Sequence, residues 1–271
     1  MPADSTAPIA APVPADEAPA TSPRTLLERV SFGVRAGAAV AGTGVAFGVC
    51  AAGLAMRLPR EGVVVRSARL WARLVCAPLG IRLRVHGRER LSAHRPCVIV
   101  ANHQSALDVA FMAGIFPRGT VILAKEEVRA MPIVGRIYRA TGNLFVERER
   151  PRNAHRALQQ AEAAVRAGSS LWIFPEGTWG PEPGRLLPFK AGAFRLAVAT
   201  GAPVVPVVIA PLKPRVDLEG GRIRRTVVHA QVLEPIPTAG MTDTDVQALL
   251  ATTQQRMQAE LDRLADGPLR V

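Results

Sequence analysis

The sequence predicts an α/β domain built on one mixed sheet, preceded by a pair of N-terminal helices. Three observations carry that prediction. Apolar, β-branched runs alternate with helical stretches from residue 82 onward, an uncharged stretch runs from Ala36 to Met56, and the segment after it mixes arginines with apolar side chains at helical spacing. The strands are expected at 82–86, 97–101, 120–124, 143–147, 170–174 and 203–209, with helices near 105–115, 152–167 and 190–200. Thr226 to Val232 reads as an added edge strand, and Asp243 to Leu264 as a closing amphipathic helix with Thr242 as its cap. A chain of 271 residues buries a sizeable core, and this one suits one main domain with an appendage. The expected organisation is a tail at 1–23, a helical pair at 24–80 and the α/β domain at 81–271.

The tail holds six prolines, many alanines and no Lys or Arg, a composition that does not pack, so it is expected to be disordered. It places no basic start directly before an apolar core, which argues against a cleaved signal peptide. Ala36 to Met56 is different. Its 21 residues carry no charge, and at about 1.5 Å per residue a helix there reaches roughly 32 Å, the thickness of a bilayer core. Arginines stand on both sides of it, so the positive-inside rule assigns no orientation, and a hairpin dipping into one leaflet fits that symmetry. Val63 to Leu79 is amphipathic in the manner of an interfacial helix. A buried soluble hairpin is the competing reading, and Gly37, Gly42, Gly44, Gly48 and Gly53 count against it because glycine weakens a helix in water.

Charge points to the same surface. Residues 24 to 95 contain 13 arginines against Glu28, Glu61 and Glu89, which leaves +10 of the whole chain's +12. Anionic headgroups attract such a segment by about 1 kcal/mol per basic residue near the surface. Nucleic acid is excluded as a partner because the cations interleave with an apolar span and no nucleic-acid motif accompanies them. Cys50, Cys76 and Cys97 lie in apolar surroundings without metal-ligand spacing and read as reduced thiols.

Two stretches carry chemistry. Asn102-His103-Gln104-Ser105-Ala106-Leu107-Asp108 and Phe174-Pro175-Glu176-Gly177-Thr178 each close an apolar strand, where α/β folds place their sites. In a strict helix five residues turn through about 500°, leaving His103 and Asp108 roughly 140° apart, so they meet only if His103 stands outside the helix and folds back. At such a corner the carboxylate accepts from Nδ1–H, frees Nε2 to take a proton and stabilises the imidazolium that forms. His103 is then a general base and Asp108 its orienter; taken alone, this stretch also fits a helix cap beside a partly buried histidine. In the second stretch Pro175 ends the strand, Gly177 permits close backbone approach, and Glu176 and Thr178 offer an acceptor and a donor.

The His-x4-Asp of 103–108, Gly142-Asn143-Leu144-Phe145-Val146-Glu147-Arg148, Phe174-Pro175-Glu176-Gly177-Thr178 and Ala202-Pro203-Val204-Val205-Pro206 stand in the order of four motifs of the glycerolipid acyltransferases. Over residues 80 to 215 the chain resembles that family, most of all its 1-acyl-glycerol-3-phosphate acyltransferase branch. The resemblance implies a mixed-sheet acyltransferase domain in which His103 deprotonates an acceptor hydroxyl for direct attack on an acyl thioester, without an acyl-enzyme. It implies that Arg148 meets the acceptor phosphate and that Glu176, Gly177 and Thr178 belong to acceptor binding. Lys125 and Lys190 fall where the family commonly carries lysine, in a chain with only three lysines among 34 basic residues. Arg148 also fits a solvated charge run, Glu147-Arg148-Glu149-Arg150.

The third motif departs from the family's common Arg-Ser continuation, because Trp179-Gly180 follows Thr178. An indole cannot make the bidentate phosphate contact of an arginine. Lys125, Arg148, Arg185 and Lys190 are the candidates to replace it.

The resulting expectation is a membrane-associated O-acyltransferase on the cytoplasmic face of the cell membrane. It takes an acyl group from acyl-CoA or an acyl carrier protein to a lysolipid, forming phosphatidic acid, with no cofactor and no metal. Another lysolipid acceptor, such as lyso-ornithine lipid, is the alternative that Trp179 permits, and a non-catalytic lipid-binding protein is the second. A serine hydrolase is disfavoured because Ser105 lacks a Gly-x-Ser-x-Gly context.

Overall fold

The computed structural model describes residues 25–131, 134–147, 151–180, 182, 184–213, 215–218 and 220–266. The expected tail at 1–23 and Arg148 lie outside the described residues.

Two helices lead the described chain, α1 (Leu26–Ala55) and α2 (Arg60–Leu79). α1 starts well ahead of the uncharged stretch because Thr25 and Glu28 form a reciprocal capping box, each side chain accepting from the other's backbone N–H. Its glycines divide by direction. Gly42 and Gly53 are buried against α2, where a Cβ would meet Leu74 Cβ at 2.7 Å and Val63 at 3.0 Å, whereas Gly37, Gly44 and Gly48 face open space. Leu26, Leu27, Val30, Val34, Val40, Val45 and Val49 are exposed, so α1 turns a bare apolar side outward. The pair is pinned by polar contacts. Trp71 Nε1 donates to Thr43 Oγ1 (3.0 Å), and the Arg35 guanidinium donates to the carbonyls of Pro78 (2.9 Å), Leu79 and Ile223 (2.9 Å). Arg35 therefore satisfies the carbonyl end of α2 and ties both helices to the later chain.

The rest follows as β1 (Ile81–His86), α3 (Arg90–Ala93), β2 (Val98–Ala101), α4 (Leu107–Ile115), β3 (Thr120–Lys125), α5 (Glu126–Ala130), α6 (Val134–Ala140), β4 (Leu144–Val146), α7 (Pro151–Arg166), β5 (Ser170–Ile173), α8 (Gly192–Thr200), β6 (Val204–Ile209), β7 (Val216–Asp217), β8 (Arg222–Ile223), β9 (Thr226–Val232) and α9 (Val246–Asp266). A 3-10 turn at Asp243–Asp245 precedes α9, with Thr242 and Asp245 capping it reciprocally. α3, α5, α6 and the β7–β8 hairpin were not foreseen, since elements this short give no readable period.

Seven strands form the main sheet in the order β1-β9-β6-β2-β5-β3-β4. Its neighbours are parallel except β6 and β9, so the sheet is mixed. The expected edge position of Thr226 to Val232 is corrected: β9 is inserted between β1 and β6, and β1 takes the edge. The reason is compositional. β1 presents Arg82, Arg84 and His86 on one side, and charged side chains suit an open edge.

Alternation assigns the two faces. Val98 and Val100 pack with α7, α8 and α9, whereas Ile99 and Ala101 pack toward α2 and α4. Ile81, Val228 and Ala230 likewise join α2 and α4, with α1 outside them.

Gly42→Val should force α1 off α2 and destabilise the protein by about 1–3 kcal/mol, as overpacking does. Gly44→Ala, with nothing within 4 Å of its Cβ, should be neutral or stabilise by roughly 0.5–1 kcal/mol. Thermal denaturation of both variants in one detergent checks the contrast.

Candidate active site

The site begins where β2 runs out. Asn102 prolongs the ladder with its side chain, accepting from Ile209 N–H (2.7 Å) and donating to Ile209 C=O (3.0 Å). Gln104 does the same for the next segment, donating to Ala210 C=O (2.9 Å) and accepting from Leu212 N–H (3.1 Å). Held between them, His103 stands outside α4, as the geometric argument required.

Asp108, on the first turn of α4, is fully buried, and its Oδ2 accepts three times: from His103 Nδ1 (3.1 Å), Gln104 N–H (2.6 Å) and Ser105 N–H (2.8 Å). Its Oδ1 has no partner among the described residues. His103 Nε2 takes no hydrogen bond among them either, which leaves it open to a substrate. The ring is fixed from two further sides. Phe174 stacks on it at 4.2 Å between centroids, and Trp179 meets it edge-on at 5.3 Å.

Glu176 reaches the same corner from β5. Its Oε1 accepts from His103 N–H (2.7 Å) and its Oε2 from Leu187 N–H (2.8 Å). Burial raises its pKa, and the hydrogen bonds from Leu187 and His103 oppose that shift. Gly177, with φ of +79°, makes the turn that lets this carboxylate fold back under His103. The Leu187 segment is itself held by α9, where Gln258 accepts from Leu186 N–H (3.0 Å) and Gln254 from Phe189 N–H (3.2 Å). Gln254 and Gln258 were invisible to motif reading, because amides on a helix face look like ordinary surface.

Thr178 is exposed at the mouth of the site. Lys125 ends β3, exposed, and one strand, β5, separates β3 from β2, which leads to His103. Lys190 is also exposed, with its backbone N–H on Pro175 C=O (2.9 Å). Arg185 pairs with Glu182 at 3.6 Å. Ser105 Oγ accepts from Leu107 N–H (3.0 Å) and serves as a helix-start acceptor. A cavity of 530 Å³ opens beside Gln104, Ser105 and Trp179, and the cation that lines it is Lys213, which the sequence reading had not selected. A second, apolar cavity of 70 Å³ lies between the helical pair and the domain, lined by Phe47, Trp71, Met112, Phe116, Ile122 and Tyr138 among others.

A family model described as Acyltransferase matches residues 82–210, from β1 to the end of β6. The chain is 38% identical to the Homo sapiens 1-acyl-sn-glycerol-3-phosphate acyltransferase beta over 190 residues, 70% of this chain and 68% of that protein. The chain belongs to the acyltransferase family. Within the family it is also 31% identical over 204 residues to the Saccharomyces cerevisiae 1-acyl-sn-glycerol-3-phosphate acyltransferase, covering 74% of this chain and 67% of the relative. The fold resembles the crystal structure of the 1-acyl-sn-glycerophosphate (LPA) acyltransferase PlsC from Thermotoga maritima, with a TM-score of 0.69, 25% identity and coverage of 88% and 95% of the two chains. The protein is accordingly an O-acyltransferase, and the His-x4-Asp corner lies inside the segment shared with the family.

His103→Ala should abolish acyl transfer while leaving the thermal transition near that of the wild type, since a general base contributes about 10²–10⁴-fold. Asp108→Asn keeps the shape and removes the charge facing the imidazolium, so kcat should fall by a similar factor. Steady-state rates checked against circular dichroism decide it. Either variant retaining more than about a tenth of the wild-type rate removes that residue from the assigned role.

Proposed function

We propose that the protein transfers an acyl group from a thioester to the free hydroxyl of 1-acyl-glycerol-3-phosphate, forming phosphatidic acid for phospholipid synthesis at a membrane. The observation that carries this is the open Nε2 of His103, backed by Asp108 at 3.1 Å on Nδ1, with a cavity lined by the neighbouring Gln104, Ser105 and Trp179 beside it. Nε2 takes the hydroxyl proton, the alkoxide oxygen bonds to the thioester carbonyl carbon, and collapse of the tetrahedral intermediate breaks the carbon–sulfur bond and releases thiol. The imidazolium returns the proton to the departing sulfur. The backbone N–H groups of residues 103, 104 and 105 are already taken by Glu176 and Asp108, so the oxyanion draws its donors from elsewhere in the site.

The acceptor phosphate sits a few bonds from the reacting hydroxyl, so its cation must stand near His103. Trp179 fills the place where many relatives carry arginine, and Lys213 supplies a positive charge in the same cavity. Arg148 remains the family's candidate for a second contact. The apolar cavity behind α4 is assigned to the end of an acyl chain, because Met112 and Phe116 line it from the helix segment that begins at the site.

Membrane attachment belongs to the same reading. α1 is long and apolar enough to cross a bilayer, and its exposed leucines and valines have no protein to cover them among the described residues. An anionic, cytoplasmic-facing leaflet is the surface that the arginines of residues 24 to 95 fit.

Purified protein offered acyl-CoA with a panel of lysolipids, followed by product mass, should form phosphatidic acid fastest. Product only from a lysolipid without a phosphate monoester, such as lyso-ornithine lipid, would reverse the acceptor assignment. Lys213→Ala should raise the acceptor KM by about 10- to 150-fold, the 1.5–3 kcal/mol of a charged hydrogen bond. Ala113→Phe should shift the preferred acyl chain to shorter lengths in the same assay.

High-salt washing should leave the protein on membranes, because screening weakens the headgroup attraction and not the burial of apolar area. Detergent should release it. Fractionation and immunoblotting distinguish these outcomes, and complete release by salt would place α1 outside the bilayer.

A further inference from the structure

His86 and His229 had no partner pattern in the sequence, yet they pair across β1 and β9. His86 Nε2 lies 3.1 Å from His229 Nδ1, with the rings stacked at 5.4 Å and an interplanar angle of 4°. The register sets Arg84 opposite His229 and His86 opposite Gln231. Because Ile81, Val228 and Ala230 point toward α2 and α4, alternation sends Arg82, Arg84, His86 and His229 to the other side of the sheet. A cleft of 350 Å³ opens there, lined by His86, Lys213, Arg215, His229 and Arg263 together with Thr226, Gln231 and apolar residues, and with no carboxylate among the described residues. Of these, Arg263 also pairs with Glu260 outside the cleft lining. Burial, then His86, Arg84 and Arg263, depress the His229 pKa, so the groups facing the pair are cationic and the cleft lining supplies no carboxylate.

We propose that this cleft binds the phosphates of the acyl donor, the 3′-phosphate and diphosphate of coenzyme A. The inference rests on the acyl-transfer reading above and gives the donor carrier that reading left open. Three physical points select this ligand. The cleft adjoins the reactive corner, since Ala210 accepts from Gln104 and donates its N–H to His229 C=O (2.9 Å), and Lys213 lines both cavities. β9 and β1 lie two and three strands from β2, which is roughly 10 and 14 Å at the usual strand spacing. An acceptor phosphate, only a few bonds from its hydroxyl, does not reach so far from His103. A donor whose thioester and phosphates are separated by a pantetheine arm does. Finally, the cleft opens on the sheet face opposite α1 and α2, away from the apolar side of α1, so it meets a water-borne ligand and not the headgroups of a bilayer holding that helix.

The test is calorimetric titration of coenzyme A into the full-length protein in detergent, into the double variant His86→Gln/His229→Gln and into Arg84→Gln, an exposed position outside the stack that guards against a folding defect in the double variant. Coenzyme A should bind the wild type, and the double variant should weaken it by about tenfold or more, as loss of charged hydrogen bonds does. Arg84→Gln should move in the same direction by less. Removing the 3′-phosphate by using dephospho-coenzyme A should weaken wild-type binding as well. In turnover, the KM for acyl-CoA should rise in the variants while kcat and the acceptor KM hold, and the KM for the same acyl group on N-acetylcysteamine, which ends short of any phosphate, should not change. Equal coenzyme A affinity in all three proteins overturns the proposal. So does an equal rise in KM for the short thioester, or binding of phosphatidylglycerol vesicles that depends on His86 and His229. Binding needs no acceptor, so a failure to acylate 1-acyl-glycerol-3-phosphate leaves this result standing and refutes only the acceptor assignment.

Discussion

One buried oxygen organises the reactive corner. Asp108 Oδ2 accepts from the His103 ring and from two successive backbone N–H groups, and each bond forces the chain after β2 to curl back over the first turn of α4. Three hydrogen bonds to a charged acceptor contribute about 1.5–3 kcal/mol each, yet desolvating the carboxylate costs several kcal/mol, and Oδ1 is buried without a partner. What the arrangement secures is direction: Nδ1 is committed to the carboxylate and Nε2 is left without a partner among the described residues.

A second carboxylate performs the complementary task on the main chain. Glu176 clamps His103 N–H to Leu187 N–H, and Leu187 belongs to a segment that α9 holds through Gln254 and Gln258. Residues from β2, α4, the loop after β5 and the C-terminal helix thus converge on one imidazole. The family resemblance implied acceptor binding for Glu176. Its observed contacts give it a positioning role, since both oxygens are engaged by the backbone and the residue is 4% exposed.

The aromatic neighbours change how the departure at residue 179 should be understood. Trp179 is not merely a missing arginine. Its ring meets the His103 ring at 82° while Phe174 stacks on it at 16°, and the two aromatic contacts restrict rotation of the imidazole. Lys213, on the segment that Gln104 anchors, lines the cavity beside Trp179.

Local signals were sufficient for much of this. The strands, the long helices and the apolar N-terminal stretch were legible because each repeats its own period over many residues, whereas counting helical turns allowed a His103–Asp108 contact only with His103 outside the helix, and the order of the four motifs then favoured it. The glycines of α1 were legible in number but not in purpose, since only packing separates Gly42, pressed on Leu74, from Gly44, facing open space. Contacts between distant residues left no local trace: Glu176 to Leu187, Gln258 to Leu186, Arg35 to Ile223, and the His86–His229 pair, 143 positions apart. The sheet order likewise emerged only from tertiary structure, because an alternating run such as Thr226 to Val232 satisfies an edge and an interior position equally well. Sequence by itself determined which residues have the chemistry and which elements carry them; tertiary structure decided which of those residues meet, because that depends on strand order and long-range pairing.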